Sequence, residues 1–316
     1  MHLKFWPIRT YNRIVYSYDY YFGSTGINSN NRIDPMRFKR IRDLLVTEKI
    51  IHRKHILKPE MVSYEDMALV HTKKYLKNIQ DPVNVSKMLK IEHVDPWDAT
   101  ILEYFRVVTG GTILASQYAL HHRSTVFNLG GGFHHARSDS AAGFCLINDV
   151  AIAIEKYRSK KMILRPMIID LDYHQGDGTL SFYNDDSGVF TFSMNASHWL
   201  TSNKENNIDI TLPENCNGHV YMNILKSKLP KILGAFNPDI IFYIAGSDIY
   251  ANDSIGDLNL SRAEMLDRNM YVLNQVQTRK LPLVIVAGGG YGPESWIVYY
   301  DFILSSFGKQ QNEILH

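Results

Sequence analysis

The sequence predicts an α/β fold: a parallel sheet with helices on each side. Three observations predict it. Short apolar, β-branched runs recur along the chain, they alternate with longer amphipathic stretches, and they are apolar throughout rather than at every second position. Strands buried on both faces and separated by helices form parallel sheets covered by helices. No repeat, low-complexity tract or Pro/Ser-rich linker interrupts the pattern, so residues 1–316 read as one domain.

Taken in order, a helical pattern over Ala99–His121 leads into a strand at Thr125–Leu129. A helix over Asn148–Arg158 precedes strands at Met167–Leu171 and Val189–Phe192. A helix over His219–Leu233 precedes the strand Ile240–Ile244. The helix Ser261–Gln277 opens with Ser261-Arg262-Ala263-Glu264, a capping box in which the first and fourth residues satisfy free main-chain N–H groups. The last strand is Leu283–Ala287. Before Ala99 no strand is assigned. The basic cluster Lys39-Arg40-Ile41-Arg42, with Lys49, His52, Arg53 and Lys54 beyond it, reads as the solvated face of a helix.

Composition narrows the function classes. At 45% hydrophobic and 21% charged residues, the chain is that of an ordinary globular protein. A formal net charge of +2 gives no electrostatic case for nucleic acid or acidic membrane. Two cysteines, Cys145 and Cys216, cannot make a disulfide framework or a zinc-finger array, which fits a reducing compartment. Met1–Pro7 lacks the apolar run of a signal peptide, and no window approaches about 18 uninterrupted apolar residues. The expectation is a soluble intracellular protein, cytoplasmic, with a nuclear location left open.

In open α/β sheets ligands bind beyond the carboxyl ends of the strands. Here Gly130-Gly131-Gly132-Phe133-His134-His135 follows the first strand, and Asp170, Asp172 and His174 follow the second. Gly246-Ser247-Asp248 and Gly288-Gly289-Gly290-Tyr291 follow the last two. Asp170, Asp172 and His174 are spaced by two, so in extended chain they leave on one face. Buried carboxylates need compensation, and a cation supplies it. Two carboxylates with an imidazole suit zinc or another first-row divalent ion, whereas oxygen-only shells suit calcium or magnesium. A catalytic zinc site keeps three protein ligands; Asp172 and His174 supply two, and Asp248 is the natural third. Any one of these aspartates alone would pass for a helix N-cap, but the set together does not.

His134-His135 can exchange protons near neutral pH, with Asp170 and Asp177 as carboxylates to orient the two rings. The pair His121-His122 ends a helix and reads as surface. Tyr291 is placed to donate a hydrogen bond to a developing oxyanion. There is no phosphate loop, no G-x-S-x-G elbow and no H-E-x-x-H, and Gly288–Pro293 fails the dinucleotide spacing.

With these motifs in order and at this spacing, together with Ala136 and Gly143-Phe144-Cys145, the chain resembles the zinc-dependent histone deacetylase and acetylpolyamine amidohydrolase family. The likeness runs from about residue 95 to the C-terminal region and is weaker before that. Gln175, the compact length and the stretch Trp97–Leu120 look most like the class IV deacetylases. The resemblance implies the arginase-like three-layer α/β/α sandwich around a mainly parallel sheet. It implies one zinc ion per chain (ferrous iron being the other admissible metal) on Asp172, His174 and Asp248. It implies His135 as general base and acid paired with Asp177, His134 as its electrostatic neighbour paired with Asp170, and Tyr291 on the carbonyl oxygen. Gly143 and Phe144 would line the tunnel for an acylated lysine of a protein or peptide, or for an acetylpolyamine. A structural potassium ion would take oxygens of Asp170, Asp172, His174, Ser193 and Met194. The reaction implied is metal-assisted amide hydrolysis.

The chain departs from the family pattern in three places. Asn195-Ala196-Ser197-His198-Trp199-Leu200 lacks the proline-containing loop that carries a tunnel aromatic, which leaves Trp199 or Leu200 for that place. Arg32-Ile33-Asp34-Pro35 replaces a common His-Pro, and only Asp95 offers itself as the rim aspartate that gathers the substrate backbone. Class IV likeness brings long fatty acyl groups into view as substrates. An arginase-type site with two manganese ions would need further bridging aspartates. An acyl-lysine binding protein without turnover would have lost a ligand, His135 or Tyr291, and none is lost.

Overall fold

The computed structural model describes residues 12–21, 34–90, 100–196, 199–202, 204–213 and 216–314. Asp95, Trp97, Arg32, Ile33, Ser197 and His198, which the sequence reading singled out, lie outside them.

Among the described residues, eight strands form one sheet: β1 (Arg13–Val15), β2 (Ile56–Leu57), β3 (Thr125–Asn128), β4 (Pro166–Asp170), β5 (Phe190–Asn195), β6 (Asn207–Thr211), β7 (Ile240–Ile244) and β8 (Leu283–Val286). Their order is β2-β1-β3-β8-β7-β4-β5-β6, and every pairing is parallel. The residues of β3, β4, β5, β7 and β8 are buried throughout, as in a sheet covered on both faces.

The longer helices are α1 (Arg37–Thr47), α5 (Thr100–His122), α6 (Asp149–Ser159), α8 (Gly218–Phe236), α9 (Arg262–Gln277) and α10 (Ser295–Ile314). The shorter ones are α2 (Tyr64–Met67), α3 (Lys73–Asn78), α4 (Pro82–Leu89) and α7 (Asp177–Tyr183). α5 packs on α6, while α10 packs on α1 and α9. The capping box at Ser261 and Glu264 is formed in full. Arginine-arginine spacing on α1 serves pairing as well as solvation. Arg40 reaches Asp34, Arg42 reaches Asp43, and Arg37 turns inward to the main chain of the Gly288–Gly290 turn. His121 and His122 are exposed at the end of α5.

β3, β8, β7 and β4 are adjacent in the sheet, and they are the four strands whose carboxyl ends release the polar motifs. Parallel pairing puts those four ends on one edge.

Candidate active site

At the end of β4 the chain stays extended, and its carboxylates are gripped by main-chain N–H groups. Asp170 Oδ1 accepts from Asp172 N–H at 3.1 Å, and Asp172 Oδ1 accepts from His174 N–H at 3.0 Å. Asp172 Oδ2 accepts from Gly289 N–H at 2.7 Å, which ties the end of β4 to the end of β8. Asp248, just past β7, is fully buried and accepts from Tyr173 N–H at 2.9 Å.

These bonds bring Asp172, His174 and Asp248 together, one potential ligand atom from each lying within 4.8 Å of the others. His174 Nδ1 stands 3.1 Å from Asp248 Oδ2 and 3.4 Å from Asp172 Oδ1. In a tetrahedral zinc site with bonds near 2.1 Å, neighbouring ligand atoms are about 3.4 Å apart. The donor set therefore fits a first-row divalent ion by identity and by spacing. Burial and the Asp172 charge push the Asp248 carboxyl up to about 7. Burial opposes ionisation of Asp172 as well, but the His134 and His174 imidazoles outweigh it and hold that carboxyl well below the ordinary value.

The turn after β3 brings in the two histidines. Gly131 and Gly132 adopt φ of +79° and +83°, and a Cβ at Gly132 would lie 2.7 Å from Gly288 N. Only glycine allows both the backbone conformation and the approach of the two turns. Asp149, fully buried at the start of α6, fixes this turn by accepting from Gly132 and Phe133 N–H and from Thr112 Oγ1.

His134 Nδ1 donates to Asp170 Oδ2 at 2.8 Å, and His135 Nδ1 donates to Asp177 Oδ1 at 2.6 Å. The two pairs titrate in opposite directions. Burial opposes a charge on His134, but Asp170 and Asp172 overcome it and lift the imidazole to about 9. His135 is pushed down to about 4 by burial and by the neighbouring His134, against the pull of Asp177. Near pH 7 His134 is thus a fixed cation and His135 a neutral ring with its Nε2 lone pair available. The ring centroids of His135 and His174 are 5.8 Å apart.

Ala142-Gly143-Phe144-Cys145 closes a two-residue hairpin turn, with Gly143 at φ +50° and Phe144 at φ +61°. Both central residues at positive φ is the type I′ turn. A phenylalanine there is strained, a condition concentrated at functional sites. The turn sets the Phe144 ring 6.0 Å from that of Tyr291. Burial and the carboxylates of Asp248 and Asp172 keep the Tyr291 phenol protonated, so it is a donor. Its main-chain N–H donates to Asp253 Oδ2 at 2.7 Å.

The structure therefore assembles His134, His135, Asp170, Asp172, His174, Asp177, Asp248, Gly143, Phe144 and Tyr291 on one edge. Ser193 faces Asp170 in register between β4 and β5, and both line a small internal cavity; Met194 follows, buried.

The histone deacetylase domain family matches this chain over residues 31–304. The chain belongs to the histone deacetylase family. It is 30% identical to histone deacetylase 2 of Arabidopsis thaliana over 305 residues, covering 92% of this chain and 77% of that one. An uncharacterized Picosynechococcus protein is 33% identical over 88% of this chain and 91% of its own length. Histone deacetylase 8 of Xenopus tropicalis is 26% identical over 81% and 74%. In fold, a histone deacetylase homologue crystallised with SAHA superposes with a TM-score of 0.79 at 24% identity, over 94% of this chain and 84% of that one. Family and fold together support a hydrolase. No helix among the described residues is long and apolar enough to cross a membrane.

Four positioning residues went unnoticed in the sequence: Arg37, Asp149, Asp253 and Arg268. Arg268, on α9, has no exposed surface and donates to the main-chain oxygens of Leu171, Ala245 and Gly246, one residue ahead of Asp172 and two ahead of Asp248. An arginine on the apolar face of α9 was its only available signal. For Asp253 it was the Asn-Asp-Ser turn composition.

Proposed function

We propose that this protein hydrolyses the amide of N-acylated lysine in proteins or peptides with one zinc ion, ferrous iron being the other candidate. The observation that carries the reading is the convergence of three divalent-metal ligands with a neutral, carboxylate-oriented His135 and a protonated Tyr291. A metal ion on Asp172, His174 and Asp248 supplies Lewis acidity toward the acyl carbonyl and toward water.

The chain's own residues do the rest. His135 Nε2 takes a proton from the attacking water while Asp177 holds the ring by Nδ1. The Tyr291 hydroxyl donates to the carbonyl oxygen as negative charge grows on it. The His134 cation, paired with Asp170, lies with its ring 4.1 Å from that of His135 and disfavours a second lasting charge there, so the proton passes on to the leaving amine. Gly143 and Phe144 border the acyl-lysine channel. Likeness to class IV members rests on Gln175, the compact length and the stretch Trp97–Leu120, and residues 1–316 act as one catalytic domain.

Hydrolysis of matched acetyl-lysine and myristoyl-lysine peptides by zinc-loaded protein tests the reading, beside Tyr291→Phe and His135→Ala. Both variants should lose about 10²-fold or more in kcat. Turnover of neither peptide, with hydrolysis of an acetylpolyamine, would move the substrate to small amides; hydrolysis of none would leave a binding protein. We further propose that potassium binds by Asp170, Asp172, His174, Ser193 and Met194, on the support of the family resemblance and of the register that sets Asp170 beside Ser193. A melting temperature equal in potassium and choline chloride would reject it.

A further inference from the structure

Gln175 directly follows His174, yet its side chain serves neither the metal ligands nor the histidine pairs. It is 1% exposed, and its carboxamide is fully used. Oε1 accepts from the main-chain N–H of Trp199 and of Leu200, each at 2.7 Å. Nε2 donates to the Leu200 carbonyl at 2.6 Å and to the Asp209 carboxylate. A carboxamide offers two donors and two acceptor lone pairs, so all four are satisfied. Toward Leu200 it behaves as a peptide unit would, giving one hydrogen bond and receiving one. Asp209, on edge strand β6, also accepts from Asn195 Nδ2 at 2.5 Å, at the end of β5. The clamp therefore ties residues 199–200 to the carboxyl ends of β4 and β5 and to the middle of β6.

What the clamp presents is the indole of Trp199. Its ring lies at 21° to that of His174 with centroids 6.1 Å apart, and 5.5 Å from the His135 ring. The residue is nevertheless 55% exposed. An indole packed beside two site imidazoles and still more than half exposed has surface left for an aliphatic chain approaching His135.

We propose that Gln175 is a positioning residue that fixes the Trp199 indole beside His135 and His174, at the place where the family resemblance expects a tunnel aromatic. The kinetic test of this clamp rests on the deacylase reading; the emission test does not. Leu200, the other candidate for the tunnel place, contributes its main chain to the clamp.

Gln175→Leu has nearly the same volume and makes none of the four hydrogen bonds. It should raise KM for the acyl-lysine peptide about ten-fold with kcat within about three-fold, since uniform binding is lost and not stabilisation of the transition state. On a Trp199→Ala background the same substitution should change KM no further. Independently of turnover, Gln175→Leu should shift tryptophan emission to the red and raise acrylamide quenching, and both changes should vanish on a Trp199→Phe background. If Gln175→Leu does not fold, Gln175→Glu takes its place, because it keeps Oε1 but sets a carboxylate against Asp209. Unchanged emission and quenching would overturn the clamp. A KM effect that persists without Trp199 would overturn the claim that the clamp acts through the indole; a wild type inactive on acyl-lysine would overturn the deacylase reading, while the emission result still decides the clamp.

Discussion

The candidate metal site should exchange protons for metal, and the size of the exchange follows from His174. Its Nδ1 faces Asp248 Oδ2 at 3.1 Å and Asp172 Oδ1 at 3.4 Å. Burial disfavours charge on the ring, but hydrogen bonds to these two carboxylates and their charge lift it to about 10. Without metal, then, a proton on Nδ1 occupies the place between the ligand oxygens. At pH 7, three units below that value, about one ring in a thousand is neutral. At about 1.36 kcal/mol per unit, deprotonation offsets about 4 kcal/mol of the intrinsic binding free energy.

Apparent zinc affinity should therefore rise about ten-fold per pH unit between pH 7 and 9, as one proton leaves for each metal bound. Asp248 carries its carboxyl up to about 7, so below that pH a second proton must leave and the slope should approach two decades per unit. The sign is fixed: both groups hold more protons in the free site than in the occupied one, so acid weakens binding. Competition against a chromophoric chelator of known pH-dependent affinity, at half-unit steps from pH 6 to 9, measures the slope without using activity. An affinity that changes less than about three-fold from pH 7 to 9 would refute the protonated His174 and the carboxylate arrangement behind it.

Three further predictions are direct. Gly143→Ala puts a Cβ about 2.0 Å from His135 Cδ2, and that ring is held by Asp177; kcat should fall about 10²-fold while the circular dichroism spectrum is retained. In Asp253→Asn the amide cannot accept from both N–H pairs now bound, Tyr291 with Gly292 and Ile255 with Gly256; kcat should drop about ten-fold or more with KM little changed, and on a Tyr291→Phe background it should fall no further. Asp177 raises His135, which burial and His134 already hold at about 4, so Asp177→Asn lowers it further; the kcat/KM profile should show no new limb between pH 5 and 8, and the rate should fall about 10–100-fold through lost orientation.

How much of this was legible depended on which atoms do the work. The five strands assigned from sequence all exist, and β7 coincides with its assignment over Ile240–Ile244, because an apolar run on both faces of a central strand leaves a strong pattern. β1 and β2 have three and two residues, too few for any periodicity, and β6 is a half-buried edge strand with Asn207 and Asp209 among its isoleucines. The site motifs were legible because a carboxylate or imidazole in an apolar context demands a partner, and the partners were other side chains at other strand ends.

Arg37, Asp149, Asp253 and Arg268 left no such mark because their partners are chiefly main-chain groups. Every residue carries an N–H or a carbonyl, so a side chain that grips backbone requires nothing of the residue it grips, and no pair of letters records the contact. Arg268 is the extreme case: a guanidinium with no exposed surface, bound to the oxygens of Leu171, Ala245 and Gly246. It holds the main chain one residue ahead of Asp172 and two ahead of Asp248, and so fixes the distance between the two turns. A ligand triad spaced at about the edge of a zinc tetrahedron needs such fixing, since the carboxylates alone would drift apart. The polar letters at the strand ends specify which chemistry is offered, and the backbone-gripping residues behind them decide whether it is held in register.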